Sequence, residues 1–175
     1  MLFRSEYLLF DEKKPSEIIH FEIFNLIKKH NLNLSSMHVF ISSGPGSYTG
    51  MRLSEGLAQV LELSKVPVYS FYHFDVPRIC GIESGFWVTN AFKGQVFIYS
   101  WKGDLLEKQL VDKDSFTIEN PENGYTLDVE NSAFSGLKST KEFIRDHASR
   151  LFSKMADKKL RETPYYFRSL EEEFR

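Results

Sequence analysis

The sequence predicts an α/β protein of two unequal parts, and three observations carry that reading. Short runs rich in β-branched and aromatic residues, MHVFI and VPVYSFY, alternate with longer stretches whose apolar residues recur at helical spacing. That strand–helix–strand order calls for a sheet with crossover helices. Past residue 81 the pattern changes to closely spaced strands joined by turns, with one more helix near the end. The expected boundary therefore falls at residue 80, with an amino-terminal α/β lobe over 1–80 and a smaller α/β lobe over 81–175.

LFRSEYLLF (residues 2–10) reads as a strand that stops at the charged DEKK turn. Pro15-Ser16-Glu17 opens a helix, because proline suits the first turn and Glu17 complements the positive helix end. It runs to about His30, with Asn31 as the stop signal. Met37–Ile41 is a short buried strand, Gly50–Ser64 a second helix and Val66–Tyr72 another strand. A short helical or irregular piece spans His73–Cys80, and strands follow at Phe86–Ala91, Gln95–Trp101 and Leu105–Val111. Lys102-Gly103-Asp104 is the turn of a hairpin, and Pro121-Glu122-Asn123-Gly124 a turn into the strand YTLDVE. Lys138–Met155 reads as a third helix, Thr163–Arg168 as a short final strand, and SLEEEFR as an exposed charged end.

A chain of 175 residues, 42% hydrophobic and 26% charged, has the composition of a soluble globular protein with a real core. Aromatic residues reach 15%, an excess that serves either packing or a contact surface. A formal net charge of -2 with scattered Lys and Arg does not fit a dedicated nucleic-acid binder. The cluster KMADKKLR reads as a solvated helix end. The single cysteine, Cys80, cannot form an internal disulfide and reads as a packed structural thiol in a reducing cytosol. No run is long and apolar enough for a signal peptide or a membrane helix, so a cytoplasmic protein is expected.

The first helix carries one apolar stripe too many. At 100° per residue Ile19, Ile23, Leu26 and Ile27 share an arc that faces the sheet. Ile18, Phe21 and Phe24 fall elsewhere, among Glu17, His20, Asn25 and Lys28. They are either covered by another part of the chain or form a second stripe that binds another protein. In the second helix Leu53, Leu57, Val60, Leu61 and Ser64 follow helical spacing, and Gly56 and Ala58 permit close approach of a partner or of the sheet.

Between the first buried strand and the second helix lies SSGPGSYTGMR, a turn of the kind that can present backbone N–H groups to an anion at a helix N-terminus. The candidate loop is Gly44, Pro45, Gly46, Ser47, Tyr48, Thr49 and Gly50, with Arg52 as a possible charge. It is not a Walker A loop, since Met51 stands where lysine is needed, and its glycine spacing is not G-x-G-x-x-G. Pro45 lacks an N–H that a phosphate cradle would use. Ser47 is not in a G-x-S-x-G context, the five histidines form no H-E-x-x-H or H-x-x-x-H set, and His73-Phe74-Asp75 reads as a loop cap. No catalytic set, metal site or cofactor is expected.

GPGSYTGMR, preceded by an apolar strand and followed by a helix with Gly56-Leu57-Ala58, resembles the GPGSFTGLR signature of the TsaB (YeaZ) family. VPVYSF, AFKGQVF (Ala91–Phe97) and TPYYFR resemble later landmarks of that family, the last two its AR-x-GEVY and P-x-YLR, in the same order. The resemblance implies a reduced actin-like (ASKHA, ribonuclease H-like) fold of two lobes. It implies a non-catalytic subunit that binds a TsaD-like paralogue and, with a TsaE-like ATPase, supports threonylcarbamoylation of adenosine in tRNA. The helices matching Pro15–His30 and Gly50–Ser64 would form the contact with that paralogue, or a homodimer, through Ile18, Phe21, Phe24, Leu53, Leu57, Val60 and Leu61, and tRNA would be met only indirectly. Family members open with a strand and a D-x-S/T loop followed by another strand; this sequence starts at about the third strand, so that hairpin is expected to be absent or reduced. Lys14 or Pro15 stands where a His is common at the start of the first helix. Two other readings are open: an ASKHA-type phosphotransferase or peptidase that uses the glycine loop on a nucleotide, and a structural homodimer without the modification role.

Overall fold

The structure is a computed structural model that describes residues 15–118 and 120–167, with side chains from residue 18 onward. The strand expected over residues 2–10 and the SLEEEFR tail lie outside the described residues.

Helix α1 spans Pro15–Lys29, with Lys28 and Lys29 complementing the negative helix end. It stops as expected at Asn31, which adopts φ 50°. The Leu32 and Asn31 N–H groups then reach back to the carbonyls of Ile27 and Lys28 at 2.9 and 3.2 Å, a Schellman closure. The same closure ends α2 (Tyr48–Leu63) at Lys65 and α4 (Thr140–Asp157) at Lys159, both with φ near that of Asn31. In each case the residue after the left-handed position is apolar: Leu32, Val66 or Leu160.

Strands β1 (Val39–Ser42) and β2 (Val68–Phe71) form a parallel pair in the register Val39↔Val68, with α2 as the crossover between them. Side-chain alternation divides this small sheet into two faces. Phe40 and Tyr69 turn towards α4, where Phe40 stacks on Phe152 at 4.4 Å between ring centroids. Ser70 lies on the other face, which α2 covers with its buried residues Met51 and Ala58. After β2 a 3-10 turn and the short helix α3 (Val76–Ile79) close the first core with Leu151 and Met155 of α4.

The second sheet has five strands in the order β5-β4-β3-β6-β7. Strands β3 (Ser84–Asn90), β4 (Gln95–Lys102) and β5 (Leu105–Asp112) form an antiparallel meander, while β6 (Gly124–Thr126) and β7 (Lys138–Ser139) add in parallel. One face carries Trp87, Phe97, Tyr99, Trp101 and Tyr125, packed around Phe74 from the 3-10 turn after β2. The other carries Val88 and Val96 under Phe134. Much of the aromatic excess is thus core, and Trp87 donates its indole N–H to Thr140 Oγ1 at 2.9 Å in full burial.

Four expectations shift. Helix α2 begins at Tyr48, because Ser47 caps it by accepting from the Gly50 N–H at 3.1 Å. Lys138 and Ser139 pair with β6 as a strand, and α4 starts at Thr140. YTLDVE contributes only its first two residues to β6; Asp128 then takes hydrogen bonds from Thr89 Oγ1 and the Asn90 N–H at 2.6 and 2.9 Å and turns the chain away. The described part of TPYYFR is not a strand, and Pro164 has no N–H to give; the Tyr165 N–H donates to the Ser43 carbonyl just past β1, while the preceding Leu160 and Glu162 carbonyls accept from Ser70 of β2.

Candidate functional site

The glycine corner is built by three elements. Ser43, Gly44 and Pro45 are buried, and the Gly44–Pro45 peptide is cis. Gly44 has φ +106°, and a Cβ placed there would sit 2.6 Å from Met51 Sδ and 3.0 Å from the Tyr165 carbonyl oxygen. The Gly44 carbonyl accepts from the His73 N–H at 2.8 Å, and the Ser43 carbonyl accepts from the Tyr165 N–H at 2.8 Å. Within the loop the Gly44 N–H donates to Ser42 Oγ at 3.2 Å, and the Gly50 N–H is engaged by Ser47. Pro45 offers no donor. Two glycine N–H groups that could have faced an anion are therefore engaged by neighbouring serine side chains, and the loop is a braced strand-to-helix corner. Arg52 lies 4.3 Å over the Tyr48 ring in a cation–π contact. Gly46, Ser47 and Thr49 are exposed, while Tyr48 and Gly50 are half-buried.

The second candidate region is the helical face. Phe21 and Phe24 are 63% and 62% exposed, far beyond what a core residue allows, and Ile18 is half-buried. Ile19, Ile23, Leu26 and Ile27 are half-buried as well. On α2, Val60 is 59% exposed and Leu53, Leu57 and Leu61 are half-buried. At about 100° per residue, Leu53, Leu57 and Val60 share an arc roughly 160° away from Met51, Glu55, Ala58 and Glu62. The sequence reading missed Leu63, the most open of these side chains at 85%, as well as exposed Leu32 and Leu34. Leu63 falls just outside the helical stripe counted along α2, which is why spacing alone passed over it.

The titratable groups near the corner are structural. Asp75 accepts from Arg78 Nε at 2.6 Å and Nη2 at 2.8 Å, and from the Tyr99 hydroxyl at 3.0 Å, tying α3 to β4. Burial pushes the Cys80 thiol up, away from the reactive thiolate. Among the described residues no group of three or more His, Cys, Asp or Glu is placed to hold a metal ion. No helix among them is long and apolar enough to cross a membrane.

His73 does more than cap a loop. Its Nδ1 is buried and makes no hydrogen bond among the described residues, and burial, then the Lys141 charge, lowers its pKa from 6.5 to about 4. Between those values the unfolded chain binds a proton that the folded chain refuses. Stability from this group is therefore complete above about pH 6.5 and is lost as pH falls towards 4. The full effect is about 3 kcal/mol at most. Urea midpoints of the chain should fall across that window, and a His73→Gln variant should lose most of the slope; an equal slope in both would show that another group governs it.

A parallel pair with its crossover helix, joined to a five-stranded mixed sheet and helices, defines a mixed α/β protein. Its fold is similar to that of YeaZ structures. The chain is similar to the structure of YeaZ from Pseudomonas aeruginosa, with a TM-score of 0.59 and 15% identity over 87% of this chain and 85% of that one. It is also similar to the crystal structure of an uncharacterized protein with similarity to peptidase YeaZ from Pseudomonas aeruginosa, with a TM-score of 0.56 and 14% identity over 87% and 83%. No protein-family model and no curated protein matches the sequence.

Proposed function

We propose that this chain is a TsaB (YeaZ)-type subunit that binds and activates a TsaD-like enzyme in the threonylcarbamoylation of adenosine in tRNA. The observation that carries the reading is the pair of exposed phenylalanines, Phe21 and Phe24, on a helix of a protein with the YeaZ fold. Two large aromatic side chains left open together mark a contact surface rather than a solvated face. Ile18 on α1 and Leu53, Leu57, Val60 and Leu61 on α2 complete the proposed interface. The engaged Gly44 and Gly50 donors of the glycine corner support a subunit that supplies a surface and leaves the chemistry to its partner. A TsaE-like ATPase would join the assembly, tRNA would be met through the partner, and the setting would be cytoplasmic. A homodimer through the same helices would be the resting form that the partner displaces.

Co-purification tests this. A tagged chain expressed with its TsaD-like paralogue should retain that protein through gel filtration. Recovery of the chain without the paralogue, at concentrations of both in the micromolar range, would overturn the proposal.

A further inference from the structure

The carboxy-terminal segment after α4 returns to α2 (16 residues) and touches it at Tyr48, Glu55 and Glu62. Near the start of the helix the Tyr166 ring packs on Tyr48 at 5.2 Å between centroids. Two turns apart on the inner side, Glu55 and Glu62 both receive Arg161. Its Nη1 and Nη2 donate to the two Glu55 oxygens at 3.0 and 2.9 Å, and its Nε donates to Glu62 Oε1 at 2.7 Å. Nη1 also lies 3.2 Å from the Glu162 carbonyl and 3.4 Å from Ser70 Oγ, so every nitrogen of the guanidinium is engaged. The Arg161 guanidinium holds the Glu55 carboxyl below the usual carboxylate range.

The next residue anchors the segment to the sheet. The Glu162 carbonyl accepts from Ser43 Oγ at 3.0 Å and Ser70 Oγ at 2.8 Å, and the Glu162 N–H donates to Ser70 Oγ at 2.6 Å. Tyr165 then bonds Ser43 at the glycine corner. Against this, α2 itself buries only Met51 and Ala58 completely. A helix with so small a buried face is held in place largely by what grips its flank.

We infer that residues 160–167 form a strap that fixes the orientation of α2, and that Arg161 is the positioning residue through which the strap sets the partner-binding face. Arg161 touches the inner side of the helix, while Leu53, Leu57 and Val60 lie on the far side. Its effect on binding is therefore indirect. A Lys at this position could not fork to both carboxylates. The link to a partner rests on the function proposed above; the grip on α2 does not.

Hydrogen exchange on the isolated full chain separates the two. Arg161→Met should raise exchange of α2 amides at least 10-fold, with β3 and β4 amides unchanged, and Arg161→Lys should restore part of the protection. The same Met variant should weaken binding of the TsaD-like protein about 10-fold. Unchanged α2 exchange would overturn the strap, whatever the partner does. Raised α2 exchange with unchanged partner affinity would overturn Arg161 as a positioning residue. If the Met variant does not fold, the Glu55→Gln, Glu62→Gln double variant removes the same two ion pairs and is read in the same way. Should Phe21→Asp and Phe24→Asp leave the partner bound, the proposed interface fails while the exchange result still decides the strap.

Discussion

A Gly44→Val chain is expected to lose about 3–5 kcal/mol of stability, enough to leave a domain of this size marginal or unfolded. Two costs add. The first is conformational: φ +106° is a backbone state that L side chains rarely adopt, and forcing one there costs about 1–3 kcal/mol. The second is steric. The Met51 thioether, 2.6 Å from the new Cβ, can swing away, but the Tyr165 carbonyl at 3.0 Å is backbone and is fixed by its own neighbours. Valine adds two further methyls to a site with no room for the first carbon. Gly46, two residues on, provides the control. It has open space around its Cβ position, so Gly46→Val should cost less than about 1 kcal/mol. Urea midpoints of the two variants decide the matter; equal midpoints would mean that the corner is not braced as described.

The largest functional effect is expected from Phe21→Asp combined with Phe24→Asp. Both side chains are mostly exposed in the isolated chain, so the fold should lose less than about 1 kcal/mol. In a complex each phenylalanine buried would contribute about 1.5–3 kcal/mol, and an aspartate in its place would also have to be desolvated without a partner charge. Affinity for the TsaD-like protein should therefore fall at least about 1000-fold, which corresponds to roughly 4 kcal/mol. Calorimetric titration of the double variant and of the unaltered chain against the partner measures it. A loss below about 10-fold, with the thermal midpoint of the free chain unchanged, would place the interface elsewhere.

Local signals carried most of the fold. Pro15 and Asn31 bracket α1 because their backbone preferences act within a single turn. The Lys102-Gly103-Asp104 turn joined β4 to β5 as read, with Gly103 at φ 58°. The exposed stripe on α1 was also legible, since helical periodicity alone separates Phe21 and Phe24 from Ile19, Ile23, Leu26 and Ile27. What the sequence concealed depends on contacts between distant positions. Arg161 lies 106 residues from Glu55, and no spacing links them; KMADKKLR read as a solvated end because its lysines are one, although its arginine is not. Lys138 and Ser139 became a strand through pairing with Tyr125 and Thr126, a choice that their own propensities do not make. His73 hid its burial for the same reason, because the charge facing it comes from α4.

The most direct test is reconstitution of the tRNA modification from purified components. The TsaD-like enzyme, the TsaE-like ATPase and a supply of threonylcarbamoyl donor would be combined with substrate tRNA, with and without this chain, and the modified nucleoside quantified. The expected result is modification that depends on the chain and drops to background with the Phe21→Asp, Phe24→Asp variant. Modification that proceeds equally well without the chain would contradict the account.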